Sequence, residues 1–179
     1  MSNDCQRQVI DFYARRHDYD NHFTQARALK LVNYLYLQKS QSVLDVATGT
    51  GFIAVAIAPK VKSVIGIDFT PAMIARAEKK LEELNIENID LINADIAAID
   101  FAESSFDLIT CSMAIALFPD IPQVLAKWYQ WLKKGGSVAT RSPIGCRNCD
   151  SSEQLSPRNR EKCHRSGSMA RCNHFFCHC

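Results

Sequence analysis

The sequence contains no long hydrophobic run. None of its apolar stretches reaches the roughly 18–20 residues that a membrane-spanning helix needs. The first seven residues are mostly polar and lack the apolar stretch of a secretory signal peptide. We therefore predict a protein without a membrane span that resides in the cytoplasm.

The chain also carries little net charge, because 21 Lys and Arg residues nearly balance 19 Asp and Glu residues. This balance hides an asymmetry: residues 1–140 carry 14 basic and 16 acidic residues, whereas residues 141–179 carry 7 and 3. The surplus of acidic residues in residues 1–140 would be repelled by the phosphate backbone of a nucleic acid. We therefore predict no nucleic-acid partner. With 47% hydrophobic and 22% charged residues, the composition is typical of a globular domain.

Short apolar segments alternate with amphipathic ones between residues 43 and 140. The apolar segments 43–46, 63–68, 89–95 and 106–113 predict buried strands, and a fifth strand begins at residue 137. Helical spacing of apolar residues predicts helices at 24–38, 52–58, from 70 onward and at 121–132. This alternation predicts an α/β fold with a doubly wound parallel sheet that is covered on both faces.

Ligands of such sheets bind at the carboxyl ends of the strands. Gly49 and Gly51 follow the first strand and allow a tight turn and close approach of a ligand to the backbone. The helix that follows directs free N–H groups at an anionic group. Asp68 ends the second strand, where a carboxylate accepts hydrogen bonds from ribose hydroxyls. These features predict a cofactor that carries a nucleoside.

Two cofactors fit this pattern. The segment from Gly49 to Ala54 matches the G-x-G-x-x-G/A pattern of dinucleotide-binding proteins, which keeps an NAD-dependent oxidoreductase open as an alternative. Asp45, however, precedes the loop and would repel a pyrophosphate, whereas it suits an ammonium and a sulfonium. Asp95 is placed to accept from the amine of adenine. The carboxylates therefore favour S-adenosylmethionine.

Five segments together resemble the successive motifs of class I S-adenosylmethionine-dependent methyltransferases. They are residues 43–51 (VLDVATGTG), 66–68, 93–95, 106–109 and 132–136, and they are most similar to the ubiquinone/menaquinone biosynthesis C-methyltransferase-like group. The resemblance implies a Rossmann-like sheet of order 3-2-1-4-5, and C- or O-methylation of a small, quinone-like acceptor. It implies an N-terminal helical lid over residues 1–40 and a cofactor-binding domain over residues 41–140.

The residues predicted to bind the cofactor lie at the strand ends and in the lid. Neither a catalytic base nor a metal ligand is predicted. The cofactor-binding set is Tyr19, Asp45, Ala47, Thr48, Gly49, Thr50, Gly51, Asp68, Phe69, Met73, Ala94, Asp95, Ile96 and Ser112.

Residues 141–179 differ in composition from the rest of the chain. They contain six of the eight cysteines, and a proline at position 143 interrupts the fifth strand. One hypothesis is a zinc-binding tail on a non-catalytic cofactor-binding protein. The other is a disordered tail translated in a shifted reading frame, attached to a truncated methyltransferase that lacks the last two strands and has impaired activity. In either case, we predict no further strand or helix after residue 142.

Overall fold

The computed structural model describes residues 3–16 and 18–141, and the backbone of residues 174–178. The zinc-tail and reading-frame hypotheses concern residues 142–179, which lie almost wholly outside the described residues. The helices are α1 (Asn3–Ala14), α2 (His22–Val32), α3 (Phe52–Ile57), α4 (Pro71–Leu84) and α5 (Ile121–Trp131). The strands are β1 (Ser42–Val46), β2 (Ser63–Asp68), β3 (Ile89–Asn93), β4 (Phe106–Ser112), β5 (Leu132–Arg141) and β6 (His174–His178).

Strands β1 to β5 form a parallel sheet in the order β3-β2-β1-β4-β5. This confirms the predicted fold class and strand order. The chain crosses from one half of the sheet to the other between β3 and β4, so that β1 and β4 are neighbours at the point where the order reverses. Their carboxyl ends therefore flank the crevice in which ligands bind in sheets of this type.

The sheet is buried on both faces, as the apolar strands predict. One cluster, which includes Leu31 and Ile57, packs α2 and α3 against the sheet. The other contains Ile109 and both tryptophans and packs α5 against the opposite face. Trp128 and Trp131 are each 1% exposed, and the indole N–H of Trp131 donates to Asp100 Oδ1 at 2.7 Å.

Several boundaries differ from the sequence prediction. Helix α2 is capped by Asn21 instead of Thr24 and ends at Val32 instead of residue 38. The third strand ends at Asn93, so that Asp95 lies in the loop beyond it. These differences arise where several polar residues compete to cap or end an element, and packing selects one of them.

The fifth strand begins at Leu132, directly after α5, and not at residue 137. Its pairing with β4 shifts register between Phe106 and Leu108 because an irregularity occupies residues 133–136. Gly135 adopts a φ of 82° there, which a glycine accommodates without strain. Residues 133–136 of this motif segment thus form a bulge in the strand.

The prediction that no strand follows residue 142 is wrong at one place. β6 pairs antiparallel with β5, from Ser137 opposite His178 to Arg141 opposite His174. The outer edge of β5 would otherwise leave a row of backbone N–H and C=O groups unpaired, and a segment with two phenylalanines favours an extended backbone that pairs with them. The described sheet therefore has six strands.

Candidate functional site

The loop that joins β1 to α3 has the backbone of a close-approach site. Gly49 and Gly51 have φ values of 58° and 78°, the left-handed region that glycine adopts without strain. A Cβ atom added to Gly49 would lie 3.6 Å from the hydroxyl oxygen of Tyr19. A Cβ at that distance would make an ordinary van der Waals contact, so the left-handed turn, and not the approach of Tyr19, requires glycine here.

Asp68 ties this loop to the start of α4. Its Oδ2 atom accepts from the backbone N–H of Gly49 at 2.9 Å, and its Oδ1 atom accepts from that of Thr70 at 2.9 Å. Burial raises the pKa of the carboxyl, while the two backbone N–H groups act in the opposite direction. Each oxygen keeps a second lone pair, so the carboxylate can still accept hydrogen bonds from a ligand.

Asp45 lies behind the loop and does not line a pocket. It is 1% exposed, and its two oxygens accept from the hydroxyls of Thr48 and Thr110, each at 2.6 Å. Burial raises its pKa to about 6, although both hydroxyls act to lower it. The structure thus makes Asp45 a support for the loop, through Thr48.

Two adjoining pockets open at the carboxyl edge of the sheet. They share Ala47, Asp68, Phe69, Ala114 and Leu117, which form the boundary between them. The first pocket is further lined by the predicted residues Ala94, Asp95 and Ile96. The second is further lined by the predicted residues Tyr19, Gly49, Met73 and Ser112. The remaining predicted residues, Asp45, Thr48, Thr50 and Gly51, line neither pocket.

Two polar groups face the second pocket. Ser112, the last residue of β4, has a buried hydroxyl without a hydrogen-bond partner in the described part of the chain. The ring of Tyr19 lies edge-on to that of Tyr13 at 5.8 Å. Burial, reinforced by Tyr13 and by the Asp68 carboxylate, raises the pKa of Tyr19 to about 12, so its phenol remains protonated and can donate at neutral pH.

Sequence reasoning missed the part of the wall that follows β4. A 3-10 turn over Ile115–Leu117 and the first turn of α5 close the first pocket. In the sequence, the only indication of these residues was that they follow a strand whose carboxyl end lies at the ligand-binding edge of the sheet. The missed residues include Met113, Ala114, Leu117, Phe118, Asp120, Gln123 and Val124.

Two absences apply to the described residues alone. Within residues 7–16 and 18–141, no three His, Cys, Asp or Glu side chains cluster so as to hold a metal ion. None of the helices in this part of the chain has the length and apolar composition to cross a bilayer.

The strand order, the glycine loop tied to Asp68 and the paired pockets define the class I S-adenosylmethionine-dependent methyltransferase fold. A family model described as a methyltransferase domain matches residues 43–136, more than half of the chain. The chain belongs to this methyltransferase-domain family. The resemblance drawn from the sequence motifs is thereby confirmed, and S-adenosylmethionine is the cofactor of this class.

Two curated relatives of this chain are also named as methyltransferases. The demethylmenaquinone methyltransferase of Listeria welshimeri is 33% identical over 106 residues, covering 58% of this chain and 45% of that protein. The protein of the same name from a Geobacillus species is 33% identical over 105 residues, with 57% and 45% covered. The chain thus spans about half the length of the curated relatives it matches.

Solved structures share the fold. A putative methyltransferase from Bacillus halodurans superposes with a TM-score of 0.62 at 30% identity, covering 69% of this chain and 53% of that chain. An S-adenosylmethionine-dependent methyltransferase from Aquifex aeolicus superposes with a TM-score of 0.65 at 18% identity, covering 82% and 79%. The second likeness is evidence of the fold alone.

Proposed function

We propose that this chain binds S-adenosylmethionine across the two pockets and transfers its methyl group to a small, quinone-like acceptor. The observation that carries the proposal is the Asp68 carboxylate, which holds the glycine loop and stands at the boundary of both pockets. The names of the demethylmenaquinone methyltransferase relatives support a quinone as the acceptor class. In this proposal, residues 1–40 are the lid and residues 41–140 bind the cofactor.

The pockets suggest a division of the cofactor between them. The first pocket, with Ala94, Asp95 and Ile96, would take the adenine, and its largely apolar walls suit a flat ring. Asp68 would accept from the ribose hydroxyls at the boundary. The second pocket, with Tyr19 and Ser112, would take the methionine part and lead to the acceptor.

The predicted residues outside the pockets would act through the loop. Asp45 would hold the loop by accepting a hydrogen bond from the hydroxyl of Thr48. Thr50 connects the loop to the N-terminal segment by donating its hydroxyl to Asp20. Gly51 supplies the left-handed turn from which α3 begins. Met73 lines the second pocket, so we assign it to the ribose and methionine side.

When bound, S-adenosylmethionine supplies a methyl group on a positively charged sulfur, and the acceptor atom displaces that sulfur in line. The task of the protein is to align the acceptor and to exclude water. Tyr13 and Tyr19, whose rings lie edge-on in the second pocket, would form the wall nearest to the transferred group.

Calorimetric titration with S-adenosylhomocysteine tests the cofactor part of the proposal. We expect the wild-type chain to bind one equivalent, and Asp68→Asn to bind at least tenfold more weakly because a hydrogen bond to a charged group is lost. Asp90→Asn, an exposed carboxylate on β3, is the matched control and should bind like the wild type. Binding of NADH in place of S-adenosylhomocysteine by a folded sample would refute the proposal.

Transfer of a labelled methyl group tests the acceptor. We expect label from S-adenosylmethionine to appear in a reduced demethylated naphthoquinone. If the chain binds S-adenosylhomocysteine but labels a catechol or an amine instead, then the quinone assignment is wrong.

A further inference from the structure

A small polar cluster joins the N-terminal segment to the body of the protein. Asp20, between α1 and α2, accepts from the hydroxyl of Thr50 through Oδ1 at 2.5 Å. Its Oδ2 atom lies 3.1 Å from the ammonium nitrogen of Lys80 on α4. Lys80 in turn donates to the backbone carbonyl of Thr50 at 2.8 Å. The three residues, which we call the latch, therefore contact one another in all three pairings.

The latch is partly sheltered from solvent, although the side chain of Asp20 is 35% exposed. Thr50 is fully buried, and the side chain of Lys80 is only 20% exposed. The Lys80 ammonium also lies 4.1 Å from the centre of the Phe52 ring. Shielding of this kind strengthens charge-assisted hydrogen bonds relative to those of an exposed ion pair. The latch is thus better suited to hold two elements together than the exposed pair of Lys79 and Glu83 on the same helix.

A second contact holds the same segment on the N-terminal side of Tyr19. Arg76 lies one turn before Lys80 on α4 and donates to the carbonyl oxygens of Arg16 at 2.7 Å and Ala14 at 3.4 Å. Helix α4 therefore holds the chain on both sides of Tyr19. Between these two contacts, the Tyr19 ring is held against Gly49 and over the second pocket.

We propose that Asp20 is a positioning residue: by its bonds to Thr50 and Lys80, it holds the N-terminal segment closed over the second pocket. Asp20 lines neither pocket, so it acts through Tyr19 and the glycine loop and does not touch the ligand. Closure would slow the release of the cofactor and exclude water from the methyl group. The identity of the ligand as S-adenosylmethionine rests on the proposed function. The attachment of the N-terminal segment by the latch does not depend on it.

Limited trypsin digestion of the ligand-free chain tests the fastening by itself. We expect cleavage after Arg16 to require opening of the segment, because Arg16 is half-buried and its carbonyl oxygen accepts from Arg76. We expect Lys80→Met to be cut there several-fold faster than the wild type, and Lys79→Met, the matched control, to be cut at the wild-type rate. Lys80→Arg keeps the charge and should restore protection. Equal cleavage of Lys80→Met and Lys79→Met would overturn the proposal.

Calorimetry with S-adenosylhomocysteine tests the consequence for the ligand. We expect Asp20→Asn and Lys80→Met each to weaken binding about tenfold, and the double variant to be no weaker than either, because both break the same latch. Pairing Asp20→Lys with Lys80→Glu reverses the ion pair and should recover part of the loss, which a purely structural defect would not allow. Wild-type binding with no effect of Asp20→Asn would refute the latch, whereas failure of the wild type to bind would refute the proposed function.

Discussion

At the scale of single residues, the most unusual group of the site is the buried carboxyl of Asp45. Its pKa is raised to about 6 because burial outweighs the hydrogen bonds from Thr110 and Thr48. The folded chain therefore holds this proton more tightly than the unfolded chain, in which the pKa is 3.8. The resulting stabilisation is present below about pH 4 and is lost as the pH rises through about 6.

Asp45→Asn removes this titration. We expect the free energy of unfolding of the wild type to fall, relative to that of the variant, by on the order of 3 kcal/mol between about pH 4 and pH 7. Urea denaturation at a series of pH values measures the difference, since carboxyls distant from Asp45 contribute equally to both proteins. Parallel curves for the two proteins would show that Asp45 does not titrate in this range.

At the scale of elements, the start of α2 decides how the N-terminal segment meets the sheet. The Asn21 side chain accepts from the backbone N–H groups of Phe23 and Thr24, at 2.9 and 3.0 Å. The Thr24 hydroxyl oxygen in turn accepts from the backbone N–H of Asn21 at 3.3 Å, which completes a capping box. Because Asn21 directly follows Asp20, this cap also orients the latch.

Asn21→Ala removes the cap. We expect the protein to lose about 1 kcal/mol of stability, because two helix N–H groups lose their acceptor. Thermal denaturation followed by circular dichroism measures the loss. Asn33→Ala, at the exposed opposite end of the same helix, is the control and should have a smaller effect. An equal loss in both variants would mean that the box adds nothing to stability.

At the scale of the whole molecule, one sheet separates two hydrophobic clusters. Ile57 lies fully buried in the cluster under α3, and Ile109 lies fully buried in the cluster under α5. Both clusters pack against the same strands, so neither face can open without exposing the sheet. We therefore expect the described core to unfold as one cooperative unit.

Ile57→Val and Ile109→Val test this cooperativity. Each should cost about 0.5–1.5 kcal/mol, and the double variant should lose the sum of the two to within about 0.5 kcal/mol. Both tryptophans lie in the cluster of Ile109, so fluorescence reports on that face. A shift of the fluorescence transition by Ile57→Val would support one unit, whereas an unchanged transition would indicate that the faces unfold separately.

The sheet was predictable because its signals are local. Each parallel strand is an apolar run of a few residues, and Gly49, Asp68 and Ser112 stand where such runs end. The strand ends of a parallel sheet meet at one edge, so these residues were expected at one site and do line the same pocket. Asp95 was expected there too and lines the adjoining pocket.

Other parts of the site have no local signal. The latch joins Asp20, Thr50 and Lys80 across intervals of 30 residues, and no spacing rule links them. Asp45 follows the pattern of a ligand carboxylate, and nothing near it in the sequence indicates that one of its oxygens accepts from Thr110, 65 residues away. Phe118 and Gln123 become walls of the first pocket only because the fold brings them beside Ala94 and Asp95, which are distant from them in the sequence.

The sequence by itself determined the α/β class, the strand order implied by its motifs, and the edge of the sheet at which a ligand binds. The class and the edge follow from periodicity and from residue types with few alternatives, such as glycine at a left-handed turn, whereas the strand order follows from the resemblance of the motifs to a known family. The tertiary structure alone decided which carboxylates face the pockets, what closes them, and that β6 pairs with β5. Those outcomes depend on contacts between residues that are distant in the chain, and the free energy of such contacts exists only once the chain has folded.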